Sequence, residues 1–510
     1  MKSMSRPIKF AAVMSLALST LSSVAAEDYF LTIGGGYSPQ GNQISIERNV
    51  LFFQRLLSEQ KPQGAPHDIY FADGDSPQRD VQYAGSPNEV PEANRLAAEL
   101  FTGTKYLGLK YRDHSVEGVK GAATRANVEQ WFAEVGGKLQ PGDRLILYVT
   151  AHGGRGKDKK QPYNTKLKLW NEEEISVGEL AGLLNKLPEG VPVVAVMVQC
   201  FAGGFAHLIF EGGDSTKGLS SRPRGGFFAT THDRGAAGCT PDIDEENYHE
   251  YSTFFWAAIG GRTRTGEAID PPDYDGDGQV SFEEAHYFTM LASDTIDISQ
   301  TTSDALLETH SKLSEKGRDD LLAPTAAFAT ILAAASPAQR AALSGLAEQL
   351  KLEGDAVFEA AKREAERAEN ERKNLAGQID QKKKQYNEKK KNIQNALVAR
   401  VPELANLFNP QSLALVTERA DQFVEVVKAQ PAYSDFHQLS GEIRALEEQR
   451  LELERRWVKC QRLMHTARHV ALAANLEKLA SPLVVQRYRE IRALEAGSLG
   501  RVRGNTVETE

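Results

Sequence analysis

The sequence predicts a two-part protein: an α/β domain with a mostly parallel sheet flanked by helices, followed by an all-α, coiled-coil-like hairpin. Between residue 28 and about residue 272, short apolar runs alternate with stretches of helical periodicity, which is the pattern of βαβ units. From residue 336 onward the chain is rich in Ala, Glu, Lys and Arg and has almost no strand signals. The 510 residues, 41% of them hydrophobic, are enough for sizeable cores.

The strands of the α/β part are recognised as β-branched and apolar runs, several closed by Gly, which is typical of strands buried on both faces. The predicted strands are 29–34, 68–72, 144–150, 192–199 and 226–231. The helices predicted around them are 46–57, 123–135, 177–187 and 251–259. The polar, Lys-rich segment 157–171 is expected to be an exposed loop beside a cleft.

Two long stretches of the helical part repeat their seam residues in steps of three and four, as a coiled coil does. The first seam is Phe358, Ala361, Ala365, Ala368, Arg372, Leu375, Ile379, Lys382, Tyr386, Lys389, Ile393 and Ala396. The second is Leu439, Ile443, Leu446, Arg450, Leu453, Trp457, Cys460, Met464, Ala467 and Ala471. We expect an antiparallel hairpin whose shorter helical connection is 401–430.

These patterns divide the chain into a signal peptide (1–26), an α/β domain (27–300), a linker (301–335) and a helical region (336–510). We expect the helical region to be a separable module that controls access or binds a protein partner. Its lysine-rich runs are better explained as a solvated helix face than as a site for an anionic partner.

The first 26 residues resemble a secretory signal peptide, with basic residues before a short apolar core and small residues at the end. Cleavage is expected after about Ala26, which predicts a secreted or periplasmic protein. The apolar core is too short to span a bilayer, and no later segment reaches spanning length. A formal net charge of -9 argues against a nucleic-acid partner.

Two of the predicted strands end in chemically active residues. The run 145–151 leads into His152, and the run 193–199 leads into Cys200. Reactive groups of parallel sheets lie just past the carboxyl ends of the strands, so the imidazole and the thiol are expected in one crevice. A thiol needs a base or a cationic neighbour to become a nucleophile near neutral pH. The pair therefore predicts a cysteine peptidase in which His152 is the base and Cys200 the nucleophile.

These two blocks resemble the caspase–legumain clan of cysteine peptidases, in which one apolar block ends in His-Gly and a later one ends in Cys. The segments 29–36 and 226–231, the latter containing Ala-Thr-Thr, resemble the first strand and the strand after the nucleophile in legumains. The resemblance covers residues 28–290 and is closest to the legumain family. It implies a caspase-like fold and an endopeptidase that forms an acyl-enzyme on a protein or peptide substrate, without an organic cofactor.

The resemblance also implies roles for further residues. The oxyanion of the intermediate would be held by the backbone amides of Gly153 and Cys200, and Asn42 lies near the position of the family's imidazole-orienting Asn. The chain departs from legumains at Ala151, where the family has Asp, and after the nucleophile, where Phe-Ala-Gly replaces Glu-Ser-Gly. The family's Arg-His pair is missing from the loop 37–49.

Because of these departures, a preference for asparagine before the scissile bond is not implied. The candidate polar groups of the substrate pocket are Asp233, Asp242 and Glu250, although the acidic segment 242–246 could equally be a solvated loop. The other two cysteines, Cys239 and Cys460, could form a disulfide, but two unpaired, half-buried thiols are the better interpretation.

A calcium-binding loop is predicted at 273–284, because oxygen ligands recur at the positions that an EF-hand loop requires. The predicted ligands are Asp273, Asp275, Asp277, Gln279 (through its backbone carbonyl), Ser281 and Glu284. Two prolines precede the loop, so we expect a single structural site rather than a sensor pair. An acidic turn without metal is the alternative.

Two other hypotheses use the same fold. The protein could be a catalytically silent binding protein that recognises a partner through its helical arm. It could also be an inactive precursor whose helical region caps the cleft. Labelling of Cys200 by a peptidyl electrophile separates an active dyad from a silent one.

Overall fold

The computed structural model describes residues 27–62, 64–86, 89–311 and 320–499, so the predicted signal peptide lies outside the described residues. The strands are β1 (Asp28–Gly35), β2 (His67–Phe71), β3 (Val81–Ala84), β4 (Leu109–Arg112), β5 (Val119–Gly121), β6 (Arg144–Ala151), β7 (Gly153–Gly154), β8 (Lys166–Lys168), β9 (Glu174–Ser176), β10 (Val193–Met197), β11 (Arg224–Phe228) and β12 (Gln300–Thr301). The α-helices are α1 (Ile44–Gln60), α2 (Glu92–Ala97), α3 (Arg125–Glu134), α4 (Val177–Leu184), α5 (Tyr251–Gly260), α6 (Phe282–Ala292), α7 (Thr302–His310), α8 (Phe328–Ala334), α9 (Pro337–Leu350), α10 (Val357–Arg400), α11 (Pro410–Thr417), α12 (Ala420–Lys428), α13 (Tyr433–Leu479) and α14 (Pro482–Glu495).

Seven strands form one sheet in the order β12–β11–β10–β6–β1–β2–β5. All of its strand pairs are parallel except β11–β12. Two small sheets, β3–β4 and β7–β8–β9, lie beside it. The predicted fold class is confirmed: a mostly parallel sheet flanked by helices is followed by a long helical region. No helix of the described residues is long and apolar enough to cross a membrane.

Helices cover both faces of the large sheet because the side chains of its central strands alternate between two apolar cores. In β6, Leu147 lies in the core that includes residues of α3, α4 and α7. The next residue, Tyr148, lies in the opposite core with residues of α1, α5 and α6. All eight residues of β6 are buried, so this strand is the centre of the domain.

The long helices α10 and α13 form an antiparallel hairpin, as the seam pattern predicts. Lys382 pairs with Glu442 at 2.7 Å, and Lys389 pairs with Asp435 at 2.6 Å, so residue numbers rise along one helix as they fall along the other. The connection between them contains α11 and α12. Buried seam residues include Phe358, Ala361, Ala365, Ala368, Ile379, Ile393 and Cys460.

The helical region, whose composition predicts a separable module, shares apolar cores with the α/β domain. Leu472 of α13 and Ile491 of α14 belong to one of the two cores of the large sheet. At the far end of the hairpin, α2 packs its Leu96 among apolar residues of α10, α12 and α13. The two parts therefore share cores at both ends of the arm, and composition alone could not reveal this.

The segment 301–335 also differs from the expected linker. Thr301 caps α7, and Asp304 completes a capping box with it. Leu306 of α7 is fully buried in the core of the large sheet. This part of the predicted linker is therefore an element of the α/β domain. The segment 157–171 contains β8, so only part of it is the expected exposed loop.

Replacing Leu472 by Ala tests the shared core. Leu472 is 1% exposed, and its truncation should destabilise the protein by about 2–5 kcal/mol because a cavity opens beside the sheet. The exposed Leu451 of the same helix is the matched control, and its replacement by Ala should change stability by less than about 0.5 kcal/mol. Urea unfolding followed by circular dichroism and Trp fluorescence measures both. If Leu472→Ala shifts the unfolding transition of the helical region and leaves that of the α/β domain unchanged, the shared core is contradicted.

Candidate active site and calcium loop

His152 and Cys200 follow two neighbouring strands at the same edge of the sheet. Val149 of β6 pairs with Met197 of β10, so the chains leave the sheet in register. Their backbones touch just beyond it: a Cβ at Gly153 would lie 1.8 Å from the carbonyl oxygen of Cys200. The structure therefore brings the two predicted catalytic residues to one site, and the close contact requires glycine at position 153.

The His152 ring is oriented by the loop after β1. Its Nε2 lies 2.7 Å from the carbonyl oxygen of Gly41 and 2.9 Å from Oε1 of Gln43. Both partners are acceptors, so Nε2 carries the proton and Nδ1 keeps a lone pair in the neutral ring. Burial lowers the pKa of His152 below its ordinary value, and the Gly41 carbonyl partly offsets this. The ring is thus held as a neutral imidazole, the form that a general base requires.

Asn42 does not contact this ring. Its side-chain oxygen accepts a hydrogen bond from the Gly36 N–H at 3.0 Å, and its amide donates to Asp80 at 3.2 Å. Asn42 is completely buried. It therefore fixes the loop from which the neighbouring Gly41 reaches His152, and its effect on the imidazole is indirect.

The Cys200 thiol lies beneath the loop that follows β11. The Ala236 N–H donates to Sγ at 3.3 Å, and Sγ lies 3.9 Å from the Ala236 carbonyl oxygen. In the described part of the chain these are the hydrogen-bond contacts of the thiol, and the His152 ring is not among them. The next residue, Ala237, is held by its N–H bond to the buried Asp297 carboxylate at 2.7 Å.

The residue after the nucleophile has an unusual backbone conformation. Phe201 has φ +61°, in the left-handed region that non-glycine residues rarely adopt. Its N–H donates to the Arg234 carbonyl at 2.8 Å, and a 3₁₀-helix follows at Ala202–Ile209. This turn lies between Cys200 and the 3₁₀-helix, and the hydrogen bond from the Phe201 N–H holds its conformation. Strained backbone of this kind concentrates at functional sites.

Two of the three candidate pocket residues share a cavity beside the nucleophile loop. Asp242 and Glu250 line a cavity of about 280 Å³ that begins at Ala237, one residue beyond the contact with the thiol. Asp294 and Arg455 line the same cavity. Arg455 belongs to α13 and lies 3.7 Å from Asp294. The pocket is therefore acidic, and a guanidinium from the helical arm already faces it.

Asp233, the third candidate, lines a different cavity. That cavity of about 440 Å³ is also lined by His207, His232, His465 and His469. The Asp233 carboxylate accepts a hydrogen bond from the Thr231 hydroxyl at 2.7 Å. The sequence correctly placed Asp233 after the strand, but nothing in the sequence indicates on which side of the loop it lies.

The 273–284 segment folds so that several of its carboxylates lie close together. Oxygen atoms of Asp273, Asp275 and Asp277 lie within 4.8 Å of one another. The N–H groups of the glycines at 276 and 278 donate to the Asp273 carboxylate. Glu284 accepts from the Tyr274 N–H at 2.7 Å, which draws position 12 of the loop back to its start.

The remaining predicted ligands lie in the second half of the same loop. Ser281 caps α6, which follows the loop, whereas residues 262–281 contain no helix. The side-chain oxygen of Gln279 accepts from the Ser498 hydroxyl at 2.9 Å, which leaves its backbone carbonyl for the role predicted from the sequence. All the predicted ligands are oxygen atoms, the donor type that calcium prefers.

Several residues of the site could not be predicted from the sequence. Gly41 acts through its backbone carbonyl, which any residue carries, so no residue type marks it. Arg455 looks like an ordinary surface residue of a coiled coil, and only the packing of α13 brings it to the pocket. All three cysteines are free thiols, and burial raises the pKa of Cys239 to about 12.

No family model matches the chain, and no curated protein matches it. Among solved structures, the crystal structure of protein GSU0716 from Geobacter sulfurreducens is similar over 42% of this chain and 77% of that chain. The two are 12% identical, with a TM-score of 0.24. A likeness this weak carries no argument about function.

Replacing Gly153 by Ala tests the contact between the two strand ends. The new Cβ would meet backbone atoms of Cys200, which cannot move as a flexible side chain can, so we expect about 1–3 kcal/mol of destabilisation. Gly154 is the matched control, because a Cβ there would meet the flexible end of Lys168 at 3.3 Å. Thermal unfolding and the alkylation rate of Cys200 are the measurements. Equal effects of the two substitutions would contradict the proposed contact.

Proposed function

We propose that this protein is an exported cysteine endopeptidase with a caspase-like fold, closest to the legumain family. The observation that carries the proposal is the pair of strand ends that place His152 beside the Cys200 backbone, with Nε2–H of the ring held by the Gly41 carbonyl. Nδ1 is then the free basic atom of a buried, neutral ring. A base fixed in one tautomer, at the end of the strand next to the one that leads to Cys200, is the arrangement that the proposed nucleophilic catalysis requires.

The reaction uses these groups in two stages. The thiol leaves the Ala236 carbonyl and gives its proton to Nδ1 of His152, and the sulfur attacks the peptide carbonyl carbon. The backbone amides of Gly153 and Cys200 hold the oxyanion. The C–N bond then breaks, the leaving amine takes the proton from His152, and water hydrolyses the resulting thioester with His152 as base. Hydrogen bonds of catalytic groups often tighten only when substrate binds.

The acidic cavity supports a preference for a basic side chain before the scissile bond. Asp242, Glu250 and Asp294 line the cavity, and Arg455 is the cation that faces them. Glu250 is 4% exposed, and its nearest cation, Arg264, lies 3.6 Å away. A substrate guanidinium or ammonium group would bind these carboxylates in place of Arg455. Arg455 of the helical arm would then compete with the substrate for the cavity carboxylates, so the helical region would partly cap the site.

Calcium has a structural role in this proposal. The loop 273–284 lies directly before α6, whose Phe282 and Ala285 are buried against the large sheet. A cation that joins the loop carboxylates would fix the start of α6 and, through Gln279 and Ser498, the segment after α14. The loop lies apart from the dyad residues in the chain and supplies none of them, so calcium is expected to stabilise the fold rather than take part in catalysis.

A silent binding protein is the second candidate, and one observation favours it. Phe408 and Leu413, in the connection at the tip of the arm, are 88% and 55% exposed. Exposed apolar side chains of this size are typical of surfaces that bind protein partners. The dyad experiment below separates the two candidates.

Replacing Cys200 by Ala or His152 by Ala should each abolish peptide hydrolysis while the protein stays folded. Loss of either member of a nucleophile–base pair costs several orders of magnitude in kcat. Labelling by a chloromethyl ketone peptide should likewise require Cys200. Cys239→Ala is the control, because that thiol is buried and has a raised pKa. A folded wild-type protein that neither cleaves nor is labelled would support the silent binding protein.

The pH profile gives a second measurement on the same dyad. Because burial lowers the pKa of His152, the base should stay neutral to a lower pH than a free imidazole does. Activity should therefore fall on the acid side with a midpoint below about 6.5, as His152 becomes protonated. An acid limb at or above that value would contradict the buried imidazole.

A series of peptides that differ only in the residue before the scissile bond tests the pocket. Arg and Lys peptides should be cleaved with the highest kcat/KM, and Asp242→Asn should lower it about tenfold or more for these peptides, mainly through KM. Asp244→Asn is the control, because Asp244 does not line the cavity. Arg455→Ala should raise kcat/KM for basic peptides. Equal cleavage of Arg and Asp peptides would exclude the acidic pocket as the specificity site.

A further inference from the structure

A second acidic pair lies at the same edge of the sheet as the dyad. Asp73 follows β2, the strand next to β1, and Asp80 precedes β3. Single ligand atoms of Asp73, Asp80 and His114 lie within 4.8 Å of one another. None of these residues belongs to the proposed catalytic machinery or to the loop 273–284.

Three of the four oxygen atoms of these two carboxylates are enclosed and accept no hydrogen bond. Asp80 is completely buried, and its Oδ1 accepts no hydrogen bond, while Oδ2 accepts one from Asn42. Both oxygen atoms of Asp73 are likewise enclosed without a hydrogen-bond partner, although the Ser76 side chain lies close to them. Unsatisfied carboxylate oxygens are costly in a protein interior. One oxygen of Asp73 and one of Asp80 lie within 4.8 Å of each other, close enough for a single cation to contact both.

No cation of the described chain neutralises this pair. Arg112 lies near Asp80, but its guanidinium is engaged by the Glu47 carboxylate at 2.8 Å. Both ring nitrogens of His114 are engaged by backbone groups, since Nε2–H donates to the Gly74 carbonyl and Nδ1 accepts from the Val116 N–H. Neither carboxylate forms an ion pair with Lys or Arg within the described residues. A cation from solution would neutralise the charge of this pair.

We propose that Asp73 and Asp80 form a second calcium site, distinct from the loop 273–284. The free donors are carboxylate oxygens, which favour a hard cation. Both nitrogen atoms of His114 are engaged with backbone groups, which argues against zinc or another metal that prefers imidazole. The donors come from irregular backbone between β2 and β3, and calcium tolerates such geometry better than magnesium does.

This site is joined to the His152 imidazole by two consecutive residues, Gly41 and Asn42. Asn42 donates to Asp80, accepts from the Gly36 N–H, and accepts through its carbonyl from the Gln82 N–H at 2.8 Å. Its neighbour Gly41 holds the His152 ring. A cation on Asp80 therefore fixes the loop that orients the proposed base. The site itself does not rest on the peptidase proposal, because bound calcium can be counted without any substrate.

Calcium stoichiometry of the protein from residue 27 to 510, measured by equilibrium dialysis with radioactive calcium, tests the proposal. Wild type should bind two ions. Glu284→Gln, in the 273–284 loop, and Asp80→Asn should each bind one, and the double variant none. Asp75→Asn is the matched control, since Asp75 is exposed two residues from Asp73 and should leave two ions bound. Asp80→Asn that still binds two ions would overturn the second site.

Thermal unfolding shows whether each variant is folded. In EDTA, Asp80→Asn should melt at or above the wild-type temperature, because it removes buried repulsion. In the Glu284→Gln background, calcium should raise the melting temperature only when Asp80 is present, and Asp73→Asn should abolish the same gain. In that background calcium should also shift the ring signals of His152 in NMR spectra. Zinc binding that needs His114, without calcium binding, would overturn the choice of cation.

Discussion

A buried guanidinium, that of Arg462, joins the two parts of this molecule. Helix α13 carries it into the α/β domain, where it donates to three carbonyl oxygens and one hydroxyl within residues 290–297. Burial lowers the pKa of Arg462 to about 10, so the group stays charged near neutral pH. Asp297, in that segment, holds Ala237 next to the contact with the Cys200 thiol. The geometry around the nucleophile thus depends on a side chain of the helical arm.

The long strands and helices could be predicted from the sequence because the hydrophobic pattern of each lies within one continuous segment of the chain. The apolar runs that become β1, β6, β10 and β11 are long enough to be recognised alone, and the three-and-four spacing of the long helices fixes their pairing. His152 and Cys200 could be predicted to lie at one edge of the sheet because each directly follows such a run. The loop 273–284 could be proposed as a metal site because its predicted ligands lie within twelve consecutive residues.

The remaining features depend on contacts between distant parts of the chain. β7 is only two glycines long and has no hydrophobic pattern, yet it sets the approach of Gly153 to Cys200. Arg462 falls among many arginines of a charged helix, and nothing local marks it as buried. Asp80 follows a polar segment whose composition predicts a solvent-exposed loop, although the Asp80 side chain is completely buried. In each case the environment is created by an element that is remote in sequence.

The return of α14 to the large sheet has a consequence for the order of events during synthesis. Buried Glu495 accepts hydrogen bonds from the Thr302 hydroxyl and the Ser303 N–H, and Arg144 of the central strand donates to the Ser498 carbonyl. The α/β domain is therefore completed by contacts with residues that are synthesised after the entire helical arm. A nascent chain would contain His152 and Cys200 long before these contacts are complete. The contacts between the segment 495–498 and the α/β domain therefore form only after residue 498 has been synthesised.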